Sequence, residues 1–268
     1  MKVLILGGSG LVGSSLVRKF SSNPYFTEVL YPNRKSLNLF EFDSVKAYLE
    51  ENQPNFIVNA AAKVGGILAN NTYRADFILE NLKININLLE ALIPYNQIKL
   101  INLGSSCIYP LNADNPIKEK SIMTGELEKT NSPYAMAKLT AIELGNSLHV
   151  QYGHRVVNLM PTNLYGPNDN FSDKESHVIP GLMGRMHSTK IQRGDLFEVW
   201  GTGSPLREFL YVDDLADAIS FIIENEVNEE IINIGSNFEM STLNVAKLIL
   251  KYKYPNKVKT IIKKDAPK

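Results

Sequence analysis

The sequence predicts an α/β protein, a doubly wound parallel sheet followed by a smaller C-terminal α/β lobe. Three observations predict it. Short apolar runs alternate with longer helix-period segments through the first half of the chain. A glycine-rich turn follows the first of those runs, and from about Gly166 the alternation loosens into segments punctuated by Gly and Pro.

The elements follow in order. Lys2–Leu6 reads as the opening strand, and the amphipathic run Leu11, Leu16, Val17, Phe20 as the first helix. Val29–Tyr31, Phe56–Asn59 and Leu100–Leu103 are further short strands, with helical patterns at Ser44–Glu51 and Asp76–Ile93 between them. Strands alternating with helices imply right-handed βαβ units. Ser132–Gln151 is the next helix and Val156–Met160 the strand after it. Gly166-Pro167, Pro180 and the Gly201–Pro205 run then break the pattern. A helix at Asp213–Asn225, a strand at Ile231–Ile234 and a helix at Thr242–Lys251, capped by Ser241, follow. The expected division is a first domain over 1–165 and a lobe over 166–268, some of whose segments return to the main sheet.

Composition narrows the partners. The chain has 268 residues, with Lys+Arg and Asp+Glu both at 28, so its formal charge is zero. A nucleic-acid binder carries a basic excess for the phosphates, so that class is disfavoured. No apolar run reaches spanning length, and the short run after Met1 is too small for a signal segment, so a soluble, cytoplasmic protein without a membrane partner is expected. Cys107 is the single cysteine. It forms no internal disulfide, which fits a reducing compartment. No metal site is expected.

The turn Gly7-Gly8-Ser9-Gly10-Leu11-Val12-Gly13 follows the first strand and opens the first helix. Glycines at 7, 10 and 13 suit a Rossmann-like cradle: the turn needs conformations that Gly reaches cheaply, and a Cβ would block a pyrophosphate. The helix N-terminus offers free N–H groups to that anion. Gly7, Ser9, Gly10, Leu11 and Gly13 are therefore expected at a dinucleotide. An acid at the end of the second strand would select NAD, and an Arg would accept the 2′-phosphate of NADP. Here Tyr31 is followed by Pro32-Asn33-Arg34-Lys35, with no acid before Glu41. Arg34 is the expected 2′-phosphate ligand, and NADP (NADPH) the expected cofactor.

Tyr134 and Lys138 stand four apart on a predicted helix, which places both on one face. A phenol is a poor base at neutral pH, and a nearby ammonium favours phenolate. Lys138 is thus expected to lower the Tyr134 pKa, and Ser105, after the fourth strand, to hydrogen-bond the reacting oxygen. These segments resemble the extended short-chain dehydrogenase/reductases and, within them, the GDP-L-fucose synthase family. The resemblance rests on Ala60–Asn71, Leu103–Pro110, Pro133–Lys138, Met160–Pro167, Ser176–Pro180 and Arg207–Asp214, and runs in order from Lys2 to about Leu250. Tyr-x-x-x-Lys marks only the superfamily, whereas Lys63–Asn71, Ser-Ser-Cys-Ile-Tyr-Pro and Ser-His-Val-Ile-Pro are far more specific.

The resemblance implies C3/C5 epimerisation of GDP-4-keto-6-deoxy-D-mannose, then hydride reduction at C4 to GDP-L-fucose. Epimerisation beside a ketone needs a base on one face and an acid on the other. The resemblance gives these roles to Cys107 and His177. Cys107, two residues past Ser105, is expected on the same side of an extended segment. The resemblance further implies Ala61, Pro161, Asn163, Lys138 and His177 at the cofactor, with Asn163 near the sugar. It implies Arg185, Trp200 and Arg207 at the nucleotide-sugar, where Arg forks suit a diphosphate and Trp offers a flat surface. A homodimer joined through Asp76–Ile93 and Ser132–Gln151 is also implied.

Two features depart from the family. Ser9 stands where relatives can place an Arg, which leaves more of the 2′-phosphate to Arg34. The chain also ends at Lys268, soon after Val258–Ile262, short of the family's closing substrate-lobe segment. A related GDP-keto-deoxysugar or heptose substrate, and a non-catalytic dinucleotide-binding homologue, stay open as alternatives.

Overall fold

A computed structural model describes residues 1–172, 175–188, 196–253 and 259–264. Its centre is a six-stranded, fully parallel sheet in the order β2-β1-β3-β4-β5-β9. These strands are β1 (Lys2–Leu6), β2 (Glu28–Leu30), β3 (Phe56–Asn59), β4 (Lys99–Leu103), β5 (Val156–Pro161) and β9 (Ile231–Ile234). A parallel sheet covered on both faces calls for near-continuous apolar strands, and β1 is buried from Val3 to Leu6.

Alternate side chains feed two cores. Val3, Ile5, Val58, Ile101 and Leu159 pack under α1 (Leu11–Ser21) and α7 (Val212–Glu224), with Leu16, Phe20, Leu215 and Ile219. Leu4, Leu6, Ile57 and Leu100 pack under α2 (Phe42–Asn52), α4 (Arg74–Leu92) and α5 (Ser132–Tyr152), with Leu49, Leu88 and Leu148. Helix α5 starts with Pro133 in its first turn, where the missing N–H costs nothing, and stops at Gly153, whose φ of 75° reverses the chain. Helix α7 sets Asp213 and Asp214 in its first turn, where the helix dipole favours negative charge.

The smaller lobe holds the sheet β10-β8-β6 and the pair β11-β7. Its strands are β6 (Asn163–Tyr165), β7 (Leu196–Trp200), β8 (Leu206–Tyr211), β10 (Glu239–Ser241) and β11 (Lys259–Lys263), and its helices α6 (Val178–Ser188) and α8 (Thr242–Lys253). Leu182, Met186, Phe197, Val199, Val245 and Leu250 form its core. The Ser241 Oγ accepts the Asn244 N–H at 3.2 Å, the expected cap of α8.

One expectation shifts, and stretches without a sequence-predicted element prove structured. The second strand ends at Leu30, because Tyr31 leaves the ladder and lies against Gly8, where a Cβ would sit 2.8 Å from the Tyr31 Cβ. A short helix, α3 (Ile67–Thr72), occupies a stretch with no sequence-predicted element. The preceding Gly65-Gly66 pair and its own Asn70-Asn71 hide it, and Asn70 braces it by donating to the Gly65 carbonyl at 2.7 Å. Lys259–Lys263 forms β11 in another such stretch, and Val258 lies outside the described residues. No described helix is long and apolar enough to cross a membrane.

Strand order reverses beside β1, whose neighbours are β2 and β3. In open α/β sheets that switch point opens a crevice at the strand C-termini. Gly7 follows β1 there and Ala60 follows β3.

Candidate active site

The glycine turn is built by close backbone approach. Gly7 has φ +79°, and a Cβ on it would sit 2.9 Å from the Ala60 backbone. A Cβ on Gly13 would fall 2.0 Å from the Gly7 carbonyl oxygen, so helix and turn meet there only as glycines. Gly10 donates to the Gly7 carbonyl at 3.0 Å and caps α1 without any side-chain hydrogen bond. Ser9 and Gly10 are exposed, Leu11 is half-buried, and the first turn holds no acid. Uncapped amides at the N-terminus of α1 suit a pyrophosphate.

Arg34 stands exposed at the same edge, its guanidinium carbon 4.6 Å from the Phe40 ring centroid. The Asn33 Oδ1 accepts the Lys35 N–H at 2.9 Å and shapes that turn. Ala61, one residue past Ala60, and Pro161, last in β5, end their strands on the same side of the sheet. The Asn163 amide is committed to the Glu208 carbonyl at 2.9 Å, where it ties β6 to β8.

The reducing set converges at the end of β4. Gly104 leaves room there for the Met160 thioether, which a Cβ would meet at 2.4 Å. Ser105 has extended backbone and caps a 3-10 turn at Ser106–Ile108, its Oγ accepting the Cys107 N–H at 3.4 Å. This corrects the expected geometry: a tight turn, not an extended segment, brings Cys107 back to Ser105. Lys138 is buried on α5 and donates to the Leu103 carbonyl at 2.6 Å, with its Nζ 5.7 Å from the Tyr134 ring centroid.

Burial dominates the electrostatics here. It pushes the Tyr134 phenol well above its ordinary value, the Cys107 charge adds to this, and a hydrogen bond with Ser105 opposes it. Burial also holds Lys138 down to about 8, against the pull of Cys107. Burial lifts the Cys107 thiol to about 11, while Ser105 and then Lys138 pull it back. Ser105, Cys107, Tyr134 and Lys138 are thus one coupled group.

His177 belongs to a second group, just before α6. The Gly66 N–H donates to the Glu175 carbonyl at 2.9 Å, which lays this segment on the Gly65–Gly66 turn. A Cβ on Gly65 would lie 3.1 Å from the Phe77 ring, and Phe77 meets Tyr134 edge to face at 6.3 Å. The His177 segment is therefore linked to the phenol through one turn and one aromatic ring. His177 is exposed as a residue, yet burial of its ring by the protein around it lowers its proton affinity, and Asp169 raises it.

Arg185 and Trp200 come together, the guanidinium carbon 4.0 Å from the indole centroid and 5.2 Å from that of Phe197. Arg207 lies on β8, exposed, and donates to the Leu206 carbonyl at 2.7 Å.

The sequence reading missed three features. Asn59, Asn102 and Asn158 face one another in register across β3, β4 and β5, joined side chain to side chain at 3.2 and 3.1 Å. Asn59 also donates to Asn85 at 3.1 Å, Asn85 to the Asn81 carbonyl at 2.8 Å, and Asn81 to the Lys63 carbonyl at 3.0 Å. This buried amide chain reaches from the sheet to the loop beside the site. Its signal was a lone Asn in three successive apolar strands, since an isolated buried amide is costly. Phe77 and Asp169 carried no local signal.

The family model for the NAD dependent epimerase/dehydratase family matches residues 3–235. GDP-L-fucose synthase 1 of Arabidopsis thaliana is 45% identical over 248 residues, 92% of this chain and 76% of the relative. GDP-L-colitose synthase of Yersinia pseudotuberculosis is 39% identical over 254 residues, covering 94% and 82%. The structure of a GDP-L-fucose synthetase from Naegleria fowleri bound to NADP superposes with a TM-score of 0.84 at 28% identity, over 97% of this chain and 79% of that one. A nicotinamide dinucleotide is the cofactor that the glycine cradle at Gly7–Gly13 fits. Its cradle, parallel sheet and Tyr134–Lys138 helix agree with the match across most of its length, and the chain belongs to the NAD dependent epimerase/dehydratase family.

Proposed function

We propose that this protein is an NADPH-dependent epimerase/reductase that converts GDP-4-keto-6-deoxy-D-mannose to GDP-L-fucose. The observation that carries this reading is the turn after β4, which sets Cys107 against Ser105 beside Tyr134 and the buried Lys138. A reductase needs the phenol, the hydroxyl and the ammonium; a thiol set among them supplies what epimerisation adds.

The residues divide the work. Ser105 and Tyr134 hydrogen-bond the C4 ketone oxygen and stabilise the enolate that forms when an adjacent proton leaves. Cys107 takes the proton from C3, releases it to solvent, and then takes the proton from C5; Ser105 and Lys138 favour its thiolate against the burial that raises the thiol. His177 returns a proton at each carbon from the other face. The dinucleotide, when bound, supplies the hydride for C4. Tyr134 gives its phenolic proton to the C4 oxygen, a transfer suited to a phenol that burial keeps protonated. Arg34 takes the 2′-phosphate and sets the preference for NADPH. Arg185, Trp200 and Arg207 hold the GDP portion.

The test is the purified chain with NADPH and GDP-4-keto-6-deoxy-D-mannose in deuterated water. Nicotinamide oxidation with deuterium at C3 and C5 of a GDP-L-fucose product supports the proposal, and Cys107→Ser is expected to lose the deuterium. No oxidation rejects it. Oxidation with a different product selects a related GDP-keto sugar, as the name of the colitose synthase relative suggests.

A homodimer belongs to the same proposal. Helices α4 and α5 pack together and leave Leu79, Ile86, Met136 and Val150 exposed. Two copies joined through these helices would cover such residues in a four-helix contact. A monomeric mass at micromolar concentration rejects it.

A further inference from the structure

The hydrogen bonds inside the turn that carries Cys107 are long. The Ile108 N–H reaches the Ser105 carbonyl at 3.2 Å, the Tyr109 N–H the Ser106 carbonyl at 3.3 Å, and the Cys107 N–H the Ser105 Oγ at 3.4 Å. A single 3-10 turn has poor hydrogen-bond geometry and holds a side chain weakly by itself. A shorter bond lies just beyond it. Tyr109, which ends the turn, is 5% exposed, and its hydroxyl donates to the Asn233 Oδ1 at 2.6 Å. Asn233 lies on β9, the edge strand of the main sheet, and is itself held twice. Its Nδ2 donates to the Ile117 carbonyl at 3.1 Å and its backbone N–H to the Glu119 Oε1 at 3.0 Å. Burial keeps the Tyr109 phenol up at about 12, with Glu119 adding to this and Asn233 opposing it, so the hydroxyl keeps the proton it donates.

We propose that Tyr109 and Asn233 are positioning residues for Cys107: their hydrogen bond ties the end of the turn to the edge strand and so sets where the thiol stands beside Ser105. This rests on the reading of Cys107 as the base of epimerisation. The chain between them leaves little slack, since Tyr109 follows Cys107 by two residues and the intervening Ile108 is fully buried. Ile108 and Tyr109 pack with Met160 and with Leu139 and Ile142 of α5, the helix that bears Tyr134 and Lys138. Apolar packing is non-directional and fixes how deep the turn lies. The bond to Asn233 is directional and fixes where along the sheet edge it stops. β9 also leads into Asn237, whose N–H donates to the Glu208 Oε1 at 2.7 Å, next in the chain to Arg207. If Asn233 served that lobe alone, its loss would alter affinity for the sugar and leave the thiol untouched.

The test uses the full chain. Tyr109→Phe keeps the ring and removes the hydroxyl, and Asn233→Leu keeps the bulk and removes the amide. Without substrate, either change should free the thiol from its buried place, so that iodoacetamide alkylates it about 3–10-fold faster at neutral pH. Leu49→Ala opens a cavity in the core under α2, far from this turn in the chain, and should leave that rate within about twofold. The double variant should react no faster than the faster single one, because both remove the same bond. With NADPH and the GDP-keto sugar, deuterium entry at C3 and C5 should slow about 10-fold in kcat in each single variant, with KM changed less than about threefold, since the thiol no longer meets the carbons squarely. Unchanged alkylation, an equal acceleration in Leu49→Ala, effects that multiply in the double variant, or a loss confined to KM overturns the proposal. Should neither single variant fold, hydrogen exchange of the wild type decides: the Ile108 and Tyr109 amides should be protected about as well as that of Asn233, and exchange at the rate of an open loop overturns the proposal. If Cys107→Ser still incorporates deuterium at the wild-type rate, the proposed function fails instead, and the alkylation rates still judge the anchor.

Discussion

Lys138 donates to the Leu103 carbonyl at 2.6 Å, and from that position its charge acts on the Cys107 thiol. The spacing of Tyr134 and Lys138 on one helix face suggests a different pairing, ammonium with phenol. The fold adds the thiol to that pair because β4 and the turn after it bring a carbonyl and Cys107 to the same end of α5. Burial thus raises both the phenol and the thiol and lowers the ammonium.

Alkylation should report this directly. With its thiol lifted to about 11 by burial, Cys107 is expected to react slowly with iodoacetamide at neutral pH and faster as pH rises toward that value. Lys138→Met removes a charge that favours thiolate, so its alkylation profile should lie at still higher pH. Mass spectrometry of the modified peptide across pH checks both, and a neutral-pH rate matching a free thiol would contradict them.

Two glycines of one turn should behave differently. Gly13→Ala places a methyl 2.0 Å from the Gly7 carbonyl, so stability should fall by about 2–4 kcal/mol and dinucleotide binding should be lost. Gly10→Ala meets only the Gly7 oxygen at 3.5 Å, with φ −79° open to any residue. It should cost under about 1 kcal/mol and weaken the dinucleotide chiefly by crowding the pyrophosphate. Denaturant unfolding and fluorescence titration with NADPH separate the two.

The amide row makes a stability prediction. Asn102→Ala strips a partner from both Asn59 and Asn158. Leaving two buried amides short of a hydrogen bond should cost about 2–4 kcal/mol, more than an exposed Asn→Ala change. Urea denaturation at neutral pH is the measurement.

Arg34 is exposed and rests on Phe40, so its removal should spare the fold. Arg34→Ala is expected to lower kcat/KM for NADPH by about 10–100-fold and leave that for NADH within about threefold. Steady-state kinetics with each dinucleotide gives the ratio, and an equal loss on both would assign the 2′-phosphate elsewhere.

Much of the fold was legible in the residues. Lys2–Leu6 and Phe56–Asn59 are strands over the ranges their apolar runs mark, and Ser241 caps its helix. The second strand was misplaced by one residue because Tyr31 has strand propensity but packs on Gly8 instead. Helix α3 was hidden because Gly65, Gly66, Asn70 and Asn71 oppose helix formation locally, and a contact from Asn70 to the preceding turn compensates. At the site, Ser105, Cys107, Tyr134 and Lys138 were legible as a set. The turn at Ser106–Ile108 was not, since a hydroxyl cap and an extended strand end carry the same residue types.

The sequence by itself determined the alternation of strand and helix, the glycine cradle and the helical spacing of Tyr134 and Lys138. Each depends on backbone preference and periodicity within a few residues. Only the tertiary structure decided that Lys138 meets the Leu103 carbonyl, that Asn59, Asn102 and Asn158 form one row, and that the segment before His177 lies on Gly66. Those pairings come from sheet register and from loops meeting across the fold, and the energy of a buried charge or amide depends on neighbours that lie distant in the chain.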